Sequence, residues 1–279
     1  MSKKKAMNDT KYIIFTDLDG TLLNHNTYAF SAAEEALGKI RQQNIPLVLV
    51  SSKTSAELEY YQKIFECDSY PCVVENGAAV FTPEGYFADM APTRKLPRYW
   101  MYQLGKEYDK ILEILERIEQ KNRYTIKGFH NATKSEIAQV TNLSGAQLDR
   151  ALQREFSIPL FNDAVAADIL NREVNNFGLG LLYGGRFMHL LSKVDKGQAV
   201  KIIMQGFRQK YPGWKFKSVA LGDSLNDLAM LNAADFPVLV KKPDGSHEPG
   251  INLPNLIYSD GIGPQGWNES ILKLLTFGG

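Results

Sequence analysis

Cysteine is nearly missing from this 279-residue sequence, which carries only Cys67 and Cys72. Neither has cysteine or histidine partners at zinc-binding spacing, so a structural zinc site is excluded and a reduced pair is expected. Charge of one sign is lacking as well. With 32 Lys and Arg against 31 Asp and Glu, the formal charge is +1, which leaves no basic footprint for nucleic acid and no polybasic membrane anchor. No run of about 18 apolar residues exists to span a bilayer. Lys3-Lys4-Lys5 is not followed by the apolar core of a signal peptide, so residues 1–10 are expected to be a frayed tail. Internal repeats and low-complexity segments are absent too. What remains is ordinary globular composition, 44% hydrophobic and 23% charged, long enough for one large or two moderate domains of a cytoplasmic protein.

The stretch that organises the chain is Phe15-Thr16-Asp17-Leu18-Asp19-Gly20-Thr21-Leu22. Tyr12 to Phe15 reads as a buried strand, and two carboxylates follow at its end. The strand period of two turns Asp17 and Asp19 to the same side. Two anions so close require either a proton or a cation between them, and oxygen-only ligation favours Mg²⁺. Such a pair suits phosphoryl transfer. One carboxylate can attack phosphorus, while the other protonates the leaving oxygen and then deprotonates water.

Along the chain, Ser31-x-x-Glu34 and Thr54-x-x-Glu57 read as capping boxes opening helices. Ile45 to Val50 is a second buried strand, and Cys72 to Glu75 a third, joined through Asn76-Gly77 to Ala78–Phe81 as a tight hairpin. Alternating strands and helices with continuous apolar strands imply a parallel sheet covered on both faces. Around Asp89 the rhythm changes. A long amphipathic helix (Tyr108 to Ile118), a strand (Tyr124 to Phe129), capped helices at Thr133 and Ser144, a strand at Phe156 to Phe161 and a hairpin across Gly184-Gly185 follow. The α/β rhythm resumes at Lys196 and runs through Lys217–Asp223 and Phe236–Val240. The expected architecture is an α/β core of residues 11–89 and 190–279, interrupted by an inserted α+β cap at 90–189, with hinges near Asp89 and Ser192.

In a parallel sheet, ligands bind beyond the carboxyl ends of the strands. Asp17, Asp19, Ser51 and Asp223 all fall there, with Asn226 and Asp227 just after. Asp223 could complete an oxygen-rich Mg²⁺ site with Asp17, supported by Asn226 and Asp227. Lys196, at a helix start, could balance the carboxylates and a phosphate, and the Ser51 hydroxyl could meet a phosphoryl oxygen.

In their order along the chain, Asp-x-Asp-Gly-Thr-Leu, a strand-end Ser, an isolated Lys-Gly and Gly-Asp-Ser-x-Asn-Asp resemble the haloacid dehalogenase superfamily of phosphohydrolases. The resemblance implies a Rossmann-like core with an α/β cap, Asp17 as nucleophile, Asp19 as general acid/base and Ser51 and Lys196 as phosphate holders. Its metal set is Asp17, the main-chain carbonyl of Asp19 and Asp223. Ser51–Thr54, Glu75–Ala78, Arg154–Phe156, Gly184–His189 and Gly263–Trp267 further resemble the mannosyl-3-phosphoglycerate phosphatase family. That likeness implies release of phosphate from mannosyl-3-phosphoglycerate to give mannosylglycerate. Ser52, Lys53, Thr54, Glu75, Asn76, Arg186 and His189 are the expected contacts to this phosphorylated sugar acid. Lys53 and Arg186 suit a carboxylate, and Glu75 and Asn76 suit sugar hydroxyls. Phe187 and Met188 are expected in the core. The rival readings are a glucosyl-3-phosphoglycerate or broader sugar-phosphate phosphatase, and, in another class, a phospho-acceptor regulator.

Overall fold

In the computed structural model, which describes residues 10–183 and 187–277, β1 (Thr10–Thr16) is buried on both sides. Its alternation sends Ile13 and Phe15 to one apolar cluster and Ile14 to another, so the strand needs covering on both faces. Thr10, expected in the tail, already pairs with Lys215. The chain continues through α1 (Glu34–Gln42), β2 (Leu47–Val50), α2 (Ser55–Ile64), β3 (Cys72–Val74) and β4 (Ala79–Pro83). Next come β5 (Arg94–Leu96), β6 (Tyr99–Gln103), α3 (Tyr108–Asn122), α4 (Lys134–Thr141), α5 (Gly145–Ala151) and β7 (Ser157–Leu160). Then follow α6 (Ala164–Glu173), β8 (Leu179–Tyr183), β9 (Met188–Ser192), α7 (Lys196–Lys210) and β10 (Lys215–Gly222). The last elements are α8 (Leu228–Asn232), β11 (Phe236–Lys241), β12 (Ile257–Ile262) and α9 (Gly263–Phe277).

Among the described residues, nine strands form one sheet in the order β12-β11-β10-β1-β2-β3-β4-β6-β5, parallel as far as β3 and antiparallel beyond it. Leu37 and Ile40 of α1, Leu58 of α2 and Trp267 of α9 pack on one face, against Ile14, Leu47 and Leu49. Val200, Ile203 and Phe207 of α7 and Leu231 of α8 pack on the other, against Phe15, Val48 and Val50. This is the doubly wound α/β arrangement expected. Between β6 and α7 a smaller sheet, β7-β9-β8, packs under α3 and α6 around a third apolar cluster of its own, with Ile111, Leu115, Leu160, Leu170 and Leu190 among its members.

Three local expectations change. Strands β5 and β6 belong to the large sheet, because β6 pairs with β4 and buries Met101 on one face and Tyr102 on the other. The second module therefore lies between about Leu104 and Ser192, and the stretch near Asp89 is not its connection. At Gly105, the backbone N–H donates to Ala78 O, and Lys106 N donates to Ser192 Oγ at 2.8 Å, where the two connecting segments meet. The stretch Tyr124 to Phe129 is not a strand apart from a bridge at Gly128, since side chains claim its backbone donors: Ile126 N bonds Glu119 and Gly128 N bonds Asn131. Finally, Ser31 and Ser144 do not cap by side chain. Asn268 of α9 accepts from Ala36 N instead, satisfying the first turn of α1 from a distant element. Thr54 and Thr133 form their capping boxes as expected.

Candidate active site

β1 ends at the middle of the sheet, and its neighbours β10 and β2 end beside it. The chain turns sharply after Asp17, with Thr21 N and Leu23 N both donating to Leu18 O. Gly20 makes this turn possible at φ +84°, and a Cβ there would stand 2.8 Å from an Asp223 carboxylate oxygen. Behind the turn, the Trp267 indole donates to Thr16 Oγ1 at 2.9 Å and fixes α9 against the strand end.

Asp17, Asp223 and Asp227 bring carboxylate oxygens within 4.8 Å of one another, all three residues buried. Lys196, fully buried at the first turn of α7, donates to Asp17 Oδ1 and Asp227 Oδ1, both at 2.6 Å. Asp227 spends its other oxygen on the backbone N–H groups of Asp223 and Ser224, and Thr21 donates to Asp223 Oδ1 at 3.2 Å. Three acids against one ammonium leave an excess of negative charge out of water. At about 4 Å and an effective dielectric of about 20, each like-charge contact costs about 4 kcal/mol. Burial, opposed by Lys196 but assisted by Asp227 and Asp19, pushes the Asp17 carboxyl up to about 7. Burial and the neighbouring acids Asp227 and Asp17 raise Asp223 as well. Burial opposes the Lys196 ammonium, but Asp17 and Asp227 outweigh it and hold its pKa above the ordinary value.

This donor set fits a hard divalent cation. Its oxygens are those Mg²⁺ takes, a dication would offset the excess charge, and the turn at Gly20 keeps the approach to Asp223 open. Asp17 and Asp223 are the carboxylates left to bind it, since both oxygens of Asp227 already have donors.

Asp19 stands at the mouth. Its Oδ2 lies 3.0 Å from Lys53 Nζ, and its buried Oδ1 has no partner among the described residues. Lys53 also reaches Glu57 at 3.6 Å and lies over the Tyr28 ring. Burial disfavours this ammonium, yet Asp19 and Glu57 raise its pKa. All of this opens into a cavity of about 470 Å³ between the two sheets, walled by Asp17, Asp19, Ser52, Lys53, Asp223 and Asn226 on one side. Phe129, Arg154, Phe187 and His189 wall the other.

Several expected contacts sit elsewhere. Ser51 is fully buried at the end of β2, where its carbonyl accepts from Asn76 N and its hydroxyl faces Lys53 N at 3.4 Å. Thr54 caps α2 and donates to Arg150 O at 2.8 Å instead of lining the cavity. Glu75 does not line it either. Its carboxylate is fully buried away from the cavity and accepts from Glu155 N, Phe156 N and Ser157 Oγ, so it does not meet a sugar there. Asn76 likewise is behind the wall, where its Oδ1 accepts from Asn226 Nδ2 and orients that side chain. Gly184, Gly185 and Arg186 lie outside the described residues. His189 does line the cavity, although only 6% exposed. Burial, then the charges of Arg154 and Lys196, lower its pKa to about 3 and keep the imidazole neutral.

Phe129 and Tyr28 join the wall without any local pattern to announce them, and Arg154, the first residue of one of the family-like segments, joins it with no contact expected of it. Phe187 lines the cavity too, instead of entering the core as expected. Met188 is buried as expected.

Residues 14–244 match the family model of the haloacid dehalogenase-like hydrolases. A protein of Methanococcoides burtonii is 38% identical over 268 residues, 95% of this chain and 97% of its own length. One of Persephonella marina is 40% identical over 266 residues, with the same coverage. Both are named glucosyl-3-phosphoglycerate/mannosyl-3-phosphoglycerate phosphatase. Among solved structures, a haloacid dehalogenase-like hydrolase of Bacteroides thetaiotaomicron covers 95% of this chain, and all of its own length is covered. Its TM-score is 0.64 at 16% identity. A Thermotoga maritima protein gives 0.63 at 16%, over 94% of this chain and 97% of its own. At such identities these two speak for the fold alone.

Proposed function

The chain belongs to the haloacid dehalogenase-like hydrolases, and from that premise we propose that it is a Mg²⁺-dependent phosphatase of glycosyl-3-phosphoglycerates working through an aspartyl phosphate on Asp17. The observation that carries the chemistry is the buried cluster in which Lys196 holds Asp17 at 2.6 Å beside Asp223, with Asp19 at the cavity mouth.

Asp17 and Asp223, with the main-chain carbonyl of Asp19, would hold Mg²⁺, which when bound supplies positive charge for the phosphoryl oxygens. In the first step an Asp17 carboxylate oxygen forms a bond to phosphorus while the ester P–O bond breaks. Asp19, protonated, gives its proton to the departing sugar-acid oxygen. In the second step Asp19 takes a proton from water as that water attacks phosphorus, and the aspartyl P–O bond breaks to release phosphate and restore Asp17. Lys196 stays charged between Asp17 and Asp227 throughout, and balances the phosphoryl group as it arrives. Ser51, against the Lys53 backbone, shapes the phosphate-facing loop. The wall across the cavity limits the solvent around the phosphoryl group while leaving room for the water that Asp19 activates.

Support for the glycosyl-3-phosphoglycerate class comes from the names of the two relatives, each aligned over 95% of this chain. The test is phosphate release with Mg²⁺ from glucosyl- and mannosyl-3-phosphoglycerate, 3-phosphoglycerate, mannose 6-phosphate and an aryl phosphate. The expected outcome is a kcat/KM at least about tenfold higher for a glycosyl-phosphoglycerate than for the rest. Equal rates on all esters would leave the phosphatase and remove the substrate class.

A further inference from the structure

The cavity holds a second candidate anion site, on the wall facing the acidic cluster. Three cations line the cavity among the described residues, and two of them are engaged by acids. Lys53 is held by Asp19 and Glu57, and Lys242 by Glu248 at 2.5 Å. The third is Arg154, in the connection between α5 and β7. Its Nη1 donates to Ser52 O at 2.7 Å and its Nε to Ala151 O at 3.2 Å, so the guanidinium plane is held from both the large sheet and the smaller module. The nearest acid is Glu75, 3.9 Å away, and that carboxylate is already occupied by three donors of residues 155–157. The remaining N–H groups of Arg154 meet no acceptor among the described residues, and the side chain is nine-tenths buried.

Beside it, His189 lines the same cavity from β9, opposite Pro159 of β7. Its buried Nδ1 has no partner among the described residues. The Phe129 and Phe187 rings, 5.2 Å apart and nearly perpendicular, give this wall an apolar side. A clamped guanidinium beside a neutral imidazole and two aromatic rings is a receptor for a carboxylate with an adjacent oxygen, one strong anion contact in an otherwise apolar setting.

We propose that Arg154 receives the carboxylate of the substrate, with His189 hydrogen-bonding the oxygen next to it, so that this wall selects phosphorylated glycoside acids. The inference rests on the reading of the reaction given above and deepens it. Of the two residues expected to meet a carboxylate, Arg186 lies outside the described residues and Lys53 is committed to the acid/base residue Asp19.

The experiment compares wild type, Arg154→Met and Arg154→Lys on three esters: glucosyl-3-phosphoglycerate, its carboxamide derivative and an aryl phosphate. Wild type is expected to favour the carboxylate over the carboxamide by about 10- to 100-fold in kcat/KM. Arg154→Met should erase that preference, mainly through KM, losing at least about tenfold more on the carboxylate than on the aryl phosphate. Arg154→Lys, a point charge without the planar fork, should keep a reduced preference, and it decides the question if the methionine variant does not fold. Parallel losses on all three esters, or a full preference surviving in the folded variants, would overturn the role of Arg154 alone. A wild type indifferent to the carboxylate would overturn the substrate class and the proposal with it.

Discussion

At Asp17, burial and neighbouring acids favour the neutral carboxyl, while its proposed role in attack demands the anion. The carboxyl is raised from 3.8 to about 7, first by burial and then, against Lys196, by Asp227 and Asp19. In chelator, the folded chain therefore retains a proton that the unfolded chain loses as pH rises. Stability of the wild type is expected to decline between about pH 4 and pH 7 on this account, because the unfolded state is the one releasing protons. Asp17→Asn removes that penalty. Its unfolding midpoint in chelator should match or exceed wild type, with an advantage that grows over the same pH interval and levels off above it. Turnover should fall below detection, since an amide does not attack phosphorus. An Asn variant with normal phosphate release would sink the aspartyl-phosphate mechanism, and one whose midpoint drops would show that the cluster does not strain the metal-free fold.

The turn between β3 and β4 shows an element working through its shape. Gly77 has φ +99°, and a Cβ there would stand 2.3 Å from the Asp195 carbonyl oxygen and 2.8 Å from Lys196 N. Gly77→Ala should push α7 away from the sheet and move Lys196 off Asp17. Activity should fall by at least about tenfold, with a lower unfolding midpoint. Gly38→Ala, inside α1 where nothing lies within 4 Å, should instead stabilise by about 0.5–1 kcal/mol with turnover intact. Equal behaviour of the two alanines would remove the argument from close approach.

The same turn separates what the sequence discloses from what it hides. Apolar runs such as Leu47–Val50 are legible as buried strands, and Asp17, Lys196 and Asp223 are legible as a group because parallel strands deliver their ends to one edge. Glu75 is misread because its donors come from Glu155 to Ser157, about 80 residues later. Arg154 belongs to a family-like segment, yet its place in the site goes unseen for the converse reason, since only packing brings it onto the cavity wall. Ser31 is misread as a cap because the acceptor that serves α1 belongs to Asn268.

Across the whole molecule, the smaller module is fastened at more than its two chain connections. Residues 150–157 lie on the large sheet's module: Arg150 O accepts from Thr54 Oγ1 and its guanidinium stacks over Tyr60, Arg154 donates to Ser52 O, and Glu155 accepts from Ser55 Oγ at 2.5 Å. Phe156 is buried in the same apolar cluster as Leu49 and Val74. A module held this way is expected to keep its place over the active site instead of swinging on hinges, with ligand entering past the loops at Asn26 and Asp244 on the cavity rim. Glu75 is the keystone, because it satisfies three donors of the fastening segment at once. Glu75→Ala leaves those groups unpaired and should cost about 3 kcal/mol or more in urea unfolding. Hydrogen exchange should then speed up at the Glu155 and Phe156 amides, and the radius of gyration should increase. The wild-type radius should stay constant when Mg²⁺ and phosphate are added. A wild type that contracts on adding them would mean the fastening opens in solution, and that the module closes over its substrate as a lid after all.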